Sequence, residues 1–182
     1  MQWLFFSILF VLGLAAGSFI SVWVSRILKG ESWIGGRSRC FQCKHHLGIF
    51  DLVPIISFLT LRGRCRYCRK ALSWQYPVLE LVVGVLFVFW GLVFCATNTH
   101  TASLELALAL VGTVCLMAVF VSDFLYQEIP LQMTVWPAGI LFVWQWIFEL
   151  ASPISLFLGV IVAAGFFFLQ YIVSKGRWIG GG

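Results

Sequence analysis

The sequence predicts an all-α polytopic membrane protein of about five transmembrane helices, with a small cytoplasmic four-cysteine zinc-binding domain between helices 1 and 2. Three observations carry that prediction. The 182 residues are 61% hydrophobic and only 10% charged, whereas soluble domains sit near 45–50% apolar and about 25% charged. The apolar residues fall into runs long enough to cross a hydrocarbon core of about 30 Å, separated by short polar turns. Of the 12 Lys and Arg, 10 lie between Arg26 and Lys70, the stretch that also holds two CxxC pairs. That clustering follows the positive-inside rule, so the net charge of +5 calls for the lipid bilayer as partner and for no nucleic acid.

The first run, Trp3 to Val24, has no Lys or Arg before it and has Arg26 and Lys29 after it. This asymmetry argues against a cleaved signal peptide and for a retained helix with its N-terminus outside. Gly13 and Gly17 form a GxxxG pair that permits close approach of a second helix. Residues 1–24 are therefore expected to form transmembrane helix 1, and 25–75 a cytoplasmic zinc-knuckle domain. The apolar stretch Leu52–Leu61 inside that domain is too short to span and is broken by Pro54, so it packs under the knuckles or lies on the membrane surface. Residues 76–182 hold helices 2 to 5: Tyr76–Ala96, Leu104–Val121, about Leu131–Leu150 and about Ile154–Val173. Pro77 suits the first turn of a helix, and Glu80 lies one turn in. Lys175 and Arg177 close the last run with another basic flank, so every basic cluster falls on the same side.

Cys40/Cys43 and Cys65/Cys68 are the four ligands expected for Zn²⁺. Four thiolates carried by two short turns make a closed tetrahedral site for a soft divalent ion. The 21 residues between the pairs slightly exceed the usual zinc-ribbon spacing. A reducing cytoplasm favours metal over disulfide here, and the flanking cations offset the charge of a four-thiolate centre. His45 and His46 adjoin Cys43, but with four cysteines available they read as surface residues. Cys95 and Cys115 lie in apolar runs and read as packing residues. A redox-active CxxC remains a competing reading, which one tightly bound zinc per chain would oppose.

Three carboxylates stand near the cytoplasmic boundary. Asp123 follows the third apolar run, where partial desolvation would suit general acid–base work. Glu128 lies five residues on, beside Ile129-Pro130. Glu80 is either a favourable charge at a helix N-terminus or part of a site.

Together these segments resemble the type IV prepilin peptidase/N-methyltransferase family, the GxGD-type membrane aspartyl proteases. GSFISVWVSRI at Gly17–Ile27 resembles the family's opening GSF motif. RSRCFQCKHHL through LRGRCRYCRKALSWQYPVLEL resembles its cysteine-bearing cytoplasmic domain, and SDFLYQEIP resembles its first aspartate motif. The resemblance implies that Asp123 is one catalytic aspartate. The other would belong to a GxGD motif whose glycines match Gly180 and Gly182, placing it directly after the last residue. It also implies a bacterial inner-membrane enzyme. Such an enzyme cleaves the basic leader of type IV prepilins or type II secretion pseudopilins at the cytoplasmic membrane face. It then methylates the new N-terminus with S-adenosylmethionine, a step Glu80 is expected to support. The 182 residues would carry only one of the two aspartates, so the stretch is expected to be proteolytically incomplete. The alternative is a non-catalytic membrane module that binds a partner through its zinc domain.

Overall fold

In a computed structural model the described residues are 2–32, 37–96, 102–148 and 152–174, and all regular structure among them is helical. The elements are α1 (Gln2–Leu28), α2 (Ile56–Thr60), α3 (Gln75–Ala96), α4 (Ala102–Tyr126), α5 (Leu131–Ile147) and α6 (Pro153–Ser174), with a 3-10 turn at Ile49–Asp51. Helices α1, α3 and α4 are long and apolar enough to cross a membrane. Residues 33–36, 97–101 and 149–151 and the basic flank Lys175/Arg177 lie outside the described residues. The chain divides into two compact units, Met1–Ala138 and Gly139–Gly182.

The first unit is built on the pairing of α1 with α3, and small residues make that pairing possible. A Cβ added to Gly13 would sit 2.6 Å from the Gly84 Cα, and one added to Gly17 would sit 2.6 Å from the Glu80 Cα. Backbone meets backbone at both levels, which is how helices gain dispersion contact where lipid offers no hydrophobic drive. Leu9, Ile20 and Val24 of α1 bury against Leu79, Val83 and Phe87 of α3, and α4 closes the cluster with Ala118 and Val121. Trp90 Nε1 of α3 donates to Thr113 Oγ1 of α4 at 3.0 Å. The opposite faces stay apolar and uncovered, as at Val78, Leu81, Val82 and Val85. Such faces fit a membrane protein.

Two boundaries differ from expectation. Helix α1 runs on through Ser25–Leu28, because no helix breaker occurs before Gly30, whose positive φ of 66° ends the helix region. Helix α4 runs on to Tyr126 and stops at Gln127, which adopts a φ of 55°. Asp123 therefore lies within the last turn of α4 rather than in a loop after it.

In the second unit, Ser152 Oγ accepts the Ser155 N–H at 3.2 Å and caps α6, with Pro153 in the first turn. Phe142 of α5 and Phe157 of α6 meet edge to face with centroids 5.6 Å apart.

Candidate metal centre and adjoining cavity

Residues 37–74 fold around two turns with the same hydrogen-bond pattern, displaced by 25 positions. In the first, Cys40 N donates to His45 O, Lys44 N to Cys40 O and Leu47 N to Ser38 O. In the second, Cys65 N donates to Lys70 O, Arg69 N to Cys65 O and Leu72 N to Gly63 O. Each turn carries a β-bridge, Arg39 with His46 and Arg64 with Ala71. Each also places a long basic residue in the left-handed region, Lys44 at φ 60° and Arg69 at φ 55°. An RCxxCxxxL pattern at Arg39–Leu47 and Arg64–Leu72 thus encodes one local fold twice.

The two turns bring their cysteines together. One ligand atom from each of Cys40, Cys43, Cys65 and Cys68 lies within 4.8 Å of the other three, and the Cys40 and Cys68 sulfurs are 3.9 Å apart. A zinc–sulfur bond of about 2.3 Å gives a tetrahedron with edges of about 3.8 Å, so the four sulfurs fit such an ion with little movement. Cys40 and Cys65 are buried, while Cys43 is exposed. Burial opposes ionisation of Cys40, but N–H groups of Cys43 and Gln42 and the neighbouring thiols bring it down to about 7. At Cys43 the His45 N–H favours the thiolate, yet partial desolvation, the hydrogen bonds with the Cys40 and Cys68 thiols and the charge on Cys40 together push it up to about 11. Crowded thiols share negative charge poorly, and a cation removes that conflict.

Sequence reasoning passed over one residue of this centre. Asp51, in the 3-10 turn between the pairs, has a side chain only 5% exposed and accepts Arg66 Nε at 2.6 Å. Its other oxygen accepts Gly48 N at 3.1 Å and the Tyr67 hydroxyl at 3.3 Å. Burial raises the Asp51 pKa, but the Gly48 N–H and the Arg66 guanidinium outweigh it and hold the carboxyl below its ordinary value. The His45 ring meets the Tyr67 ring at a tilt of 37° with centroids 3.7 Å apart, so it joins the two turns. The expectation that His45 is a surface residue holds for exposure but misses this contact.

Between this centre and the paired helices lies a cavity of about 300 Å³. Its α1 wall is a ladder of Ser18, Ser21 and Ser25, facing Phe58, Tyr76 and Glu80. Glu80 is buried, and its Oε2 accepts the Ile55 N–H at 2.7 Å. The Ser18 hydroxyl is placed to donate to the same carboxylate. Asp123 lines neither this cavity nor a smaller one of about 200 Å³ between α1, α3 and α4. Its side chain is not covered by protein, so the desolvation expected for it is not supplied by these residues. The adjacent Ser122 is buried and donates to the Glu128 carbonyl at 2.5 Å, folding the Asp123–Glu128 segment back on the helix end. Gly180 and Gly182 lie outside the described residues.

Residues 11–94, which include α2, both turns and most of α1 and α3, match the bacterial peptidase A24 N-terminal domain. The chain is 39% identical over 132 residues to a prepilin leader peptidase/N-methyltransferase of Myxococcus xanthus, covering 72% of this chain and 38% of the relative. It is 37% identical over 168 residues to the protein of that name in Bacillus subtilis, covering 92% of this chain and 64% of the relative. The chain is thus similar to proteins named prepilin leader peptidase/N-methyltransferase, and its residues 11–94 match that peptidase N-terminal domain. A protein of that name from Burkholderia pseudomallei is 28% identical over 215 residues, and no solved structure matches. The chain spans between about two fifths and two thirds of the length of these relatives.

Proposed function

We propose that this chain is the N-terminal part of the working unit of a prepilin leader peptidase/N-methyltransferase, set in the bacterial inner membrane. The observation that carries the reading is the similarity to the Bacillus subtilis relative over 92% of the chain, which includes both the four-cysteine centre and the Asp123 segment. The N-terminus lies outside and residues 25–75 in the cytoplasm, in keeping with the basic flanks; α5 and α6 complete five crossings. The substrates are prepilins or pseudopilins, whose basic leaders meet an apolar helix at the cytoplasmic membrane face. No observation favours the alternative of a non-catalytic partner-binding module.

Asp123 is one of two carboxyls needed for cleavage. Two carboxyls held close together share one proton, so one activates a water while the other protonates the scissile carbonyl. The second belongs to the GxGD motif whose glycines correspond to Gly180 and Gly182, directly after which that aspartate is expected. Cys40, Cys43, Cys65 and Cys68 hold a structural Zn²⁺. S-adenosylmethionine supplies the methyl group for the second step. Glu80 fixes the wall of the adjoining cavity and acts as a positioning residue. The test is leader cleavage by a chain that extends past Gly182 and carries Asp123→Ala. Cleavage is expected to vanish while methylation of a pre-cleaved pilin persists. Undiminished cleavage would overturn the role of Asp123.

A further inference from the structure

The apolar stretch around α2 sits at a depth that its place in the cysteine-bearing domain conceals. Glu80 lies five residues beyond Gln75, the first residue of α3, which is roughly 7–8 Å along the helix axis at 1.5 Å per residue. Gly17 of α1 is level with Glu80, since their backbones touch. Gly17 lies eleven residues before the end of α1 at Leu28, or roughly 16 Å along that axis. The Ile55 N–H reaches the Glu80 carboxylate. Ile55 and the start of α2 are therefore drawn down beside the first turns of a membrane-spanning helix.

We infer that residues 53–61 form a re-entrant segment seated in the bilayer interface, with Ile56 and Leu59 facing lipid. Three independent features agree. Ile56 and Leu59 stand three residues apart on one face and are 60% and 62% exposed, while Phe58 on the other face is buried at 7%. Leu81 of α3, the residue after Glu80, is likewise apolar and 48% exposed. Several polar groups of the segment are paired within it, as water-poor surroundings favour. Ser57 N donates to Val53 O, Leu59 N to Ile55 O and Leu61 N to Ser57 O. The Thr60 hydroxyl, on the exposed face, turns back to the carbonyls of Ile56 and Ser57. The Ile55 N–H has no helical acceptor, because the chain there takes φ 58° after Pro54, and the Glu80 carboxylate supplies one. Glu80 thus satisfies a backbone donor that would otherwise be unpaired at membrane depth.

The experiment is site-specific photo-crosslinking of the full chain in native membranes, with a benzophenone amino acid at 56, 59, 82 or 42. Positions 56 and 59 are expected to give lipid adducts at a yield comparable to position 82 in α3. Both should exceed, several-fold, the exposed Gln42 of the first cysteine turn. Yields at 56 and 59 no higher than at 42, or adducts to protein alone, would overturn the inference. In Glu80→Gln, which keeps an acceptor, lipid adducts at 56 should persist. In Glu80→Leu they should fall, with adducts at 82 unchanged as the check that the helices remain inserted. Adducts at 56 that survive Glu80→Leu undiminished would remove Glu80 from the account. None of these readouts depends on peptidase or methyltransferase activity.

Discussion

The two cysteine turns share a backbone and differ in what anchors them. The first, Ser38–Leu47, is tied back to the end of α1. Lys29 Nζ lies 4.2 Å from the Phe41 ring centroid, and Arg39 pairs with Glu31 at 2.8 Å. The second, Gly63–Leu72, is tied to the segment between the turns, through Arg66 and Tyr67 on Asp51. It also rests on α2, since a Cβ on Gly63 would meet Phe58 Cζ at 3.0 Å. The anchors of the first are largely exposed, and those of the second converge on a buried carboxylate. Identical hydrogen bonding therefore does not make the halves energetically equal; the second holds its shape through a partner within the domain.

Removing the metal should erase the difference and gives the largest effect. Cys40→Ser or Cys65→Ser leaves three thiolates, and loss of the ion should cost on the order of several kcal/mol in either half. Metal content by elemental analysis, together with proteolysis of the 29–74 segment, measures this. A variant that keeps one ion per chain would show that its half is dispensable.

Asp51→Asn should sharpen the comparison. It removes a charge-assisted bond to the second turn only, at a cost of about 1–3 kcal/mol. Because the folded carboxyl titrates below its ordinary value of 3.8, folding favours its ionised form. Its contribution is complete above the unfolded value and is lost as pH falls through the folded one. The stability gap between wild type and variant should thus be constant near neutrality and close below about pH 4. Denaturant titrations at several pH values check both the size and the direction.

The smallest effect tests the shared backbone itself. Lys44 and Arg69 hold left-handed conformations that cost an ordinary residue roughly 1–2 kcal/mol, partly offset by the greater chain entropy of glycine. Lys44→Gly and Arg69→Gly should each raise stability by a few tenths to about 1 kcal/mol. Equal gains would confirm that the repeat extends to conformational energy, and a destabilisation at either position would deny it.

What could be read from the sequence was what short-range pattern encodes. Paired cysteines in CxxC spacing within a basic segment announced the metal centre, and Gly13/Gly17 announced a close helix contact, which the Gly84 and Glu80 backbones complete. The roles of Asp51 and Glu80 were not legible, because each works on a distant partner. Arg66 is fifteen residues from Asp51, and Ile55 is twenty-five from Glu80. Neither spacing has a local signature. The 25-residue repeat was open to reading from RCxxCxxxL alone, but its meaning rests on matched hydrogen bonds that only coordinates reveal. Asp123 was legible as a carboxylate at a helix end, and its side chain is exposed among the described residues.

The contact of Gly13 and Gly17 with α3 also bears on the order in which the molecule assembles. Between Leu28 and Gln75 lie 46 residues (74 − 28), and the length-dependent cost of closing such a loop is about 3 kcal/mol. Doubling the loop would add only about 0.6 kcal/mol. The cost of pairing the two spans is thus only weakly sensitive to the length of the intervening chain. The helix hairpin can form during membrane insertion, ahead of metal capture. Once it has formed, both ends of the cysteine segment are tethered near one point, and the two half-sites search a small volume for each other.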